Sequence, residues 1–184
     1  MNLESIGPGM QDGDLILCRG RSLTSLLIRW WTTSPFCHVG VIVWDNVDGK
    51  GYRPHSVEAH IFRKVTLAPL EKVIREMGPV DYFALACPEA DRFAIAQKAR
   101  SFVGCRYAPL LQFLRSFSIA SRWVFDLLRV SDDIAPGRTH CSEIAAASLA
   151  AGGCELEGGK DPAKVTPGDV ALSICYQRRG MVTL

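Results

Sequence analysis

The segment His38–Trp44, with the sequence HVGVIVW, limits the possible folds most strongly. It is almost entirely apolar and rich in β-branched residues, which predicts a buried strand. A turn at Asp48-Gly49 follows, and the alternating segment His55–Ile61 comes after that turn. We therefore expect the two segments to pair as an antiparallel hairpin.

Other segments extend this pattern. Asp14–Cys18 and Asp81–Cys87 also predict strands, and Asp169–Ile174 predicts a last strand after a Pro-Gly turn. Apolar residues at helical spacing predict helices over Ser22–Thr32, Glu89–Val103, Pro109–Val130 and Cys141–Ala151. Because strands and helices mix without regular βαβ alternation, we expect an α+β fold with a mainly antiparallel sheet packed against helices. The length of 184 residues predicts a single domain, 1–184.

Charge and cysteine content exclude several classes of protein. The 21 Lys and Arg residues against 19 Asp and Glu residues give a net charge of +2, too balanced for nucleic acid to be the partner. Met1–Met10 lacks the basic and apolar regions of a signal peptide, and no run approaches the roughly 18 apolar residues of a membrane span. The seven irregularly spaced cysteines are therefore expected to be reduced thiols in a cytoplasmic protein.

Cys141 is the first candidate for chemistry, because it lies at the predicted start of an Ala-rich helix. Free backbone N–H groups and the positive end of the helix dipole stabilise an anion at such a position. A thiolate there is a good nucleophile, and the same N–H groups can bind the oxyanion of a tetrahedral intermediate. A buried structural cysteine is the competing interpretation.

His38 is the second candidate, because it begins the predicted strand and can present its imidazole to a neighbouring helix start. An imidazole suits the removal of a thiol proton, and it needs a partner on its second nitrogen. Glu58 and His60 are two residues apart on the next strand, so they share one face of it. Glu58 is favoured as the partner because a carboxylate stabilises an imidazolium, but His60 remains open. The competing interpretations are that His38 is a core histidine and that Glu58 and His60 lie on a solvated strand face.

Five short segments together carry a resemblance to a known family. They are Gly13-Asp14-Leu15-Ile16, Ser34–Ile42, Val57-Glu58-Ala59, Tyr107 and His140-Cys141-Ser142-Glu143. This pattern resembles the circularly permuted branch of the NlpC-type papain-like cysteine hydrolases, and within it the bacterial YiiX-like group. The lecithin retinol acyltransferase-like proteins are more distant relatives with the same order, in which the histidine strand precedes the cysteine helix.

The resemblance implies a fold and a reaction. It implies a circularly permuted papain-like fold and a triad of Cys141 as nucleophile, His38 as general base and Glu58 as orienting group. Tyr107 is similar to a family tyrosine that lines the cleft, and we expect His60 and Ser142 to contact the substrate with it. The implied substrate is an amide bond in a cell-wall-type peptide, with an acyl lipid ester or amide as the alternative. We expect this chemistry to need no cofactor and no metal ion.

Two other functions compete with this hypothesis. The first is a zinc site, for which Cys37-His38 and His140-Cys141 supply four candidate ligands. Neighbours on a strand point to opposite faces, so Cys37 and His38 are not expected to bind the same ion.

The second competing function rests on the stretch Pro109–Val130, which departs from the family pattern and is interpreted as a helical insertion around 109–130. Its Arg115, Arg122 and Arg129 fall on one face opposite an apolar face, which is compatible with a membrane surface or a partner protein.

Overall fold

An antiparallel sheet built from both halves of the chain organises the fold. The computed structural model describes residues 1–46, 49–61, 63–108, 137–156 and 159–184. Within them the sheet strands are β1 (Leu15–Cys18), β2 (His38–Asp45), β3 (Arg53–Glu58), β4 (Thr66–Pro69), β5 (Val80–Leu85) and β8 (Tyr176–Val182). Their order is β4-β3-β2-β1-β5-β8. Two short strands, β6 (Arg106–Tyr107) and β7 (Arg138–Thr139), pair in parallel as a separate ribbon.

Helices cover both faces of the sheet. The described helices are α1 (Leu3–Ile6), α2 (Leu23–Trp31), α3 (Leu70–Met77), α4 (Arg92–Ser101), α5 (Cys141–Ala151) and α6 (Pro167–Leu172). The larger core lies between the sheet and helices α4 and α5 and includes Val39, Val41 and Val57. A second core lies on the opposite face against α3 and includes Ile42. Strand β2 is thus buried on both faces, which explains its continuous apolar sequence.

The expected α+β class and mainly antiparallel sheet are confirmed. The hairpin of β2 and β3 forms as predicted, with Val41 opposite Val57. Ser22 caps α2 by accepting a hydrogen bond from the Ser25 N–H. The single-domain organisation and the permuted chain order stay predictions.

The prediction of a last strand over Asp169–Ile174 is wrong. Most of that segment lies in α6, where Thr166 and Asp169 form a reciprocal capping box around Pro167 in the first turn. These are start signals of a helix, and they outweigh the short apolar run that follows. The last strand is β8, further along the chain.

The expectation that all the cysteines are free thiols is also wrong. Cys87 and Cys154 form a disulfide. Cys87 follows β5 and Cys154 follows α5, and the two segments meet where the Asp91 N–H donates to the Gly152 carbonyl at 3.0 Å. Packing of α4 against α5 therefore brings together two cysteines that are 67 residues apart in sequence.

The predicted insertion around 109–130 and its three arginines lie outside the described residues. The contact with a membrane surface or partner therefore stays a prediction. Among the described residues, no helix combines the length and the apolar character needed to cross a membrane.

Asp14 connects the first strand to its neighbours. Its buried carboxylate accepts hydrogen bonds from the Tyr82 hydroxyl at 2.7 Å, the Leu85 N–H at 3.0 Å and the Arg92 guanidinium at 2.9 Å. A buried carboxylate with several donors is well compensated for the loss of water. The Gly13-Asp14 motif therefore has a structural role, at the end of β1 remote from His38.

Candidate active site

His38 and Glu58 form a buried, charge-assisted contact. His38 is the first residue of β2 and Glu58 is the last residue of β3, so antiparallel pairing brings them to the same end of the sheet. A hydrogen bond joins His38 Nε2 to Glu58 Oε2. His38 is 8% exposed and Glu58 is fully buried. An ionised carboxylate so far from water needs a strong partner, and the imidazole supplies it.

Gly40 makes room for this contact. A Cβ atom at position 40 would overlap the Ser56 hydroxyl and the Glu58 carboxylate. The backbone of Gly40 does not adopt a positive φ, so the glycine is needed for space rather than for conformation. The glycine of the His-Val-Gly segment is thus explained by the carboxylate that lies across it.

Cys141 lies at the start of α5, as predicted. His140 caps this helix: its side chain accepts the Glu143 N–H at 3.2 Å, and the Glu143 carboxylate accepts the His140 N–H at 3.2 Å. The next two amides, of Cys141 and Ser142, make no hydrogen bond with any described residue. They are therefore available to an anion next to the Cys141 sulfur.

Electrostatics link the three predicted catalytic residues. Burial lowers the pKa of the His38 imidazole, but the Glu58 carboxylate and the Cys141 thiolate raise it, and the net pKa lies well above its ordinary value of 6.5. Cys141 contributes to this rise as a near neighbour of the His38 ring, while the hydrogen bond of the ring is the one to Glu58. Burial raises the pKa of Glu58, but the charge and hydrogen bond of His38 lower it to a net value below 4.5. His38 is thus hydrogen-bonded to Glu58 and close enough to Cys141 for that side chain to influence its pKa.

His60 lies on the other side of His38. The two rings stack with centroids 5.1 Å apart and planes inclined by 14°. His60 Nε2 is 3.7 Å from Glu58 Oε2, a longer distance than the direct hydrogen bond of His38. Burial and the charge of His38 lower the pKa of His60. Glu58, rather than His60, is therefore the direct partner of His38, and His60 is left facing the neighbouring cavity.

A cavity of about 520 Å³ opens beside this cluster. His38, His60 and Tyr107 line it, together with residues of the segments that follow β1 and β3. Cys141 is not among the lining residues: it is 3% exposed and shares the larger core with Tyr107, whose pKa is raised by burial and by the charge of Cys141. Tyr107 reaches this place because β6 pairs with β7, which directly precedes α5.

Ser142 and His140 are held in the packing of α5. The Ser142 hydroxyl donates to the Val165 carbonyl and lies fully buried, outside the lining of the cavity. The expected substrate contact by this side chain is replaced by a structural hydrogen bond. His140 Nε2 donates to the Ala163 carbonyl at 3.0 Å, and Nδ1 accepts the Glu143 N–H. Both ring nitrogens are occupied, so the predicted four-ligand set with Cys37, His38 and Cys141 is not assembled.

Comparison with known proteins bears on the fold. No protein-family model matches the chain, and no curated protein matches its sequence. The fold is similar to the crystal structure of the metalloprotein yiiX from Escherichia coli O157:H7, with a TM-score of 0.61 and 23% identity over 92% of this chain and 96% of that one. The chain has a YiiX-like fold. This confirms the predicted likeness to the YiiX-like group at the level of the fold, and the chemistry rests on the site itself.

The close approach at Gly40 gives a first prediction. Replacing Gly40 with alanine forces the Glu58 carboxylate away from His38, because the new methyl group occupies its place. We expect a loss of about 1–3 kcal/mol in the free energy of unfolding, measured by urea denaturation. Gly9→Ala is the matched control, since a Cβ at that glycine meets nothing within 4 Å. Equal stability of the two variants would contradict the account.

The buried histidines predict how stability depends on pH. Burial lowers the pKa of His140 from 6.5 to about 4, so its contribution is present above pH 6.5 and is lost as the pH falls towards 4. Glu58 acts in the same direction, because its lowered pKa makes its contribution disappear in acid. His38 acts oppositely: its contribution is complete below pH 6.5 and is lost as the pH rises through its raised pKa.

The test is urea denaturation between acid and alkaline pH. We expect the free energy of unfolding to be largest between these limits. The titration of His140 should account for about 3 kcal/mol of its loss in acid. His140→Asn keeps a capping side chain but removes this titration, so its acid decline should be smaller by that amount. An unchanged pH slope in His140→Asn would show that His140 does not titrate as described.

Proposed function

We propose that this chain is a cysteine hydrolase of the permuted papain-like NlpC type that cleaves an amide bond. Cys141 is the nucleophile, His38 the general base and Glu58 the group that orients His38. The observation that carries the proposal is one buried imidazole that is hydrogen-bonded to a carboxylate and electrostatically coupled to a thiol at a helix start. Thiol catalysis needs a nucleophile, a base and a group that orients the base, and these three residues supply them.

Acylation uses these groups in turn. His38 takes the proton of the Cys141 thiol, and the sulfur attacks the carbonyl carbon of the substrate. The C–S bond forms while the electron pair of the C=O bond moves to oxygen, where the N–H groups of Cys141 and Ser142 stabilise it. The C–N bond then breaks, and the His38 imidazolium gives its proton to the leaving nitrogen.

Deacylation reverses the roles. His38 removes a proton from water, and the resulting hydroxide adds to the thioester carbon. The C–S bond breaks, the carboxylic product leaves, and His38 returns the proton to the Cys141 sulfur. Glu58 stabilises the imidazolium in both halves of the reaction, which requires the ionised state that its lowered pKa favours.

A cell-wall-type peptide suits the cavity better than an acyl lipid. Polar and charged side chains contribute much of the lining of the cavity, and they are Arg21, Ser22, Thr24, Ser25, His38, His60, Arg63 and Glu76. Such a surface matches the hydrogen-bonding groups of a peptide, whereas an acyl chain needs a continuous apolar wall. An acyl lipid amide or ester is the second substrate class that the fold resemblance allows.

A metal site is the second candidate function, because the similar structure is described as a metalloprotein. His38, Glu58 and His60 place three ligand atoms within 4.8 Å of one another. However, a metal ion binds imidazole in the plane of the ring, about 2 Å from nitrogen. The planes of His38 and His60 are nearly parallel and stacked, so an ion within coordination distance of both rings lies outside the plane of at least one of them. The three residues in this arrangement do not fit a shared ion.

Thiol labelling tests the proposed nucleophile. With limiting iodoacetamide, we expect Cys141 to be alkylated before Cys105, although Cys141 is buried and Cys105 is the most exposed free cysteine. The reason is the base beside Cys141, so His38→Gln should slow its alkylation by about 100-fold. Peptide mapping by mass spectrometry gives the rate at each cysteine.

Two further variants complete this experiment. Glu58→Gln should slow alkylation of Cys141 in the same direction as His38→Gln, whereas Cys105→Ser should leave it unchanged. Labelling in order of exposure, with Cys105 first, would contradict the proposed nucleophile. Stoichiometric zinc in the purified protein that protects His38 and His60 from modification would instead favour the metal site.

A further inference from the structure

We propose that the cavity beside His38 selects a peptide that carries a carboxylate near the scissile amide, and that Arg21 and Arg63 bind this carboxylate. The inference rests on the proposed function and names its substrate class. It starts from two guanidinium groups that come from different parts of the chain. Arg21 follows β1 and Arg63 follows β3, and both line the same cavity.

The two arginines differ from many of the other described arginines. Arg19 and Arg178 pair with Asp81, and Arg92 pairs with Asp14. The side chains of Arg21 and Arg63 form no ion pair or hydrogen bond with any residue in the described part of the chain, although Glu76 lines the same cavity. Both are exposed on the cavity side, so a bound ligand can reach them.

The remaining charge in the lining does not cancel them. His38 is paired with the buried Glu58 carboxylate. The other charges of the described lining are then those of Arg21 and Arg63 against that of Glu76 when His60 is neutral. Burial, His38 and Arg63 lower the pKa of His60, which favours that neutral form. The net positive charge attracts an anionic group and disfavours a substrate with a cationic group at the same place.

The place of Arg63 sets where the carboxylate lies. The backbone N–H of Arg63 donates to the His60 carbonyl at 3.1 Å, both residues line the cavity, and His60 stacks on His38. A carboxylate held by Arg63 is therefore adjacent to the imidazole that serves the reaction. Guanidinium groups bind carboxylates through paired N–H donors, which adds geometric selection to charge. An acidic side chain and a free C-terminal carboxylate both have this chemistry.

Matched peptides test the proposal. The substrates are acetylated hexapeptides that carry either Glu or its neutral isostere Gln at each position in turn, with a C-terminal carboxylate or carboxamide. Rates of cleavage by the wild-type protein, measured by mass spectrometry, should show at least about a five-fold higher kcat/KM for the carboxylate member of one pair. The pair that shows the effect tells a side-chain carboxylate from a terminal one.

Variants assign the effect to the cavity. Arg21→Gln and Arg63→Gln should each reduce the ratio, and the double variant should bring it to about one. Arg179→Gln, which removes an exposed arginine outside the cavity lining, should keep the wild-type ratio. A ratio that survives in the double variant, or no preference for any carboxylate, overturns the proposal.

Binding separates this inference from the proposed function. The same peptides are titrated into Cys141→Ala and into Cys141→Ala with both arginines replaced, and heats of binding are measured. Carboxylate-dependent binding without cleavage by the wild type would overturn the hydrolase but support the carboxylate site. Cleavage without charge preference would support the hydrolase but overturn the carboxylate site. The absence of both binding and cleavage would overturn the hydrolase and the carboxylate site alike.

Discussion

The hydrogen bond between His38 and Glu58 places the strongest demand on the fold. A carboxylate and an imidazole are both removed from water, and the cost of that transfer is offset only if they meet directly. Their meeting depends on the register of β2 against β3 and on the missing side chain at Gly40. Much of the apolar packing around β2 can be understood as the support that holds this polar pair in register.

The cysteine helix supplies the other half of the site. The capping box fixes the first turn of α5 and occupies the backbone N–H groups of His140 and Glu143. The N–H groups of Cys141 and Ser142 between them stay available to a ligand. Small residues such as Ala145 and Ala146 let α5 pack closely on the sheet. Helix start and strand start thus meet at one end of the sheet, beside a cavity of mixed polarity.

Local patterns were informative where a residue's role is decided by its near neighbours. The apolar run of β2, its hairpin partner and the position of Cys141 at a helix start follow from such patterns. The pairing of His38 with Glu58 was expected because both lie on adjacent strands. The role of Gly40 was not visible, because it depends on a side chain from the neighbouring strand.

Other features depend on contacts that periodicity does not reveal. Strand β4 and helix α3 were missed, although Leu70, Val73 and Ile74 have helical spacing and are buried. The disulfide of Cys87 with Cys154 arises from the packing of two helices. The position of Ser142 and His140 next to Cys141 suggests a substrate contact for Ser142 and a zinc ligand for His140. Both side chains instead hydrogen-bond to backbone carbonyls that pack against α5.

The central claim is that the Cys141 sulfur becomes covalently bound to the acyl part of the substrate. Rapid acid quenching during turnover of a cleavable peptide, followed by mass spectrometry, measures this directly. The account predicts a hydroxylamine-sensitive thioester on Cys141 that forms faster than product is released and is absent in Cys141→Ser. Turnover that continues in Cys141→Ser, with no adduct on the wild-type protein at any time, would contradict it.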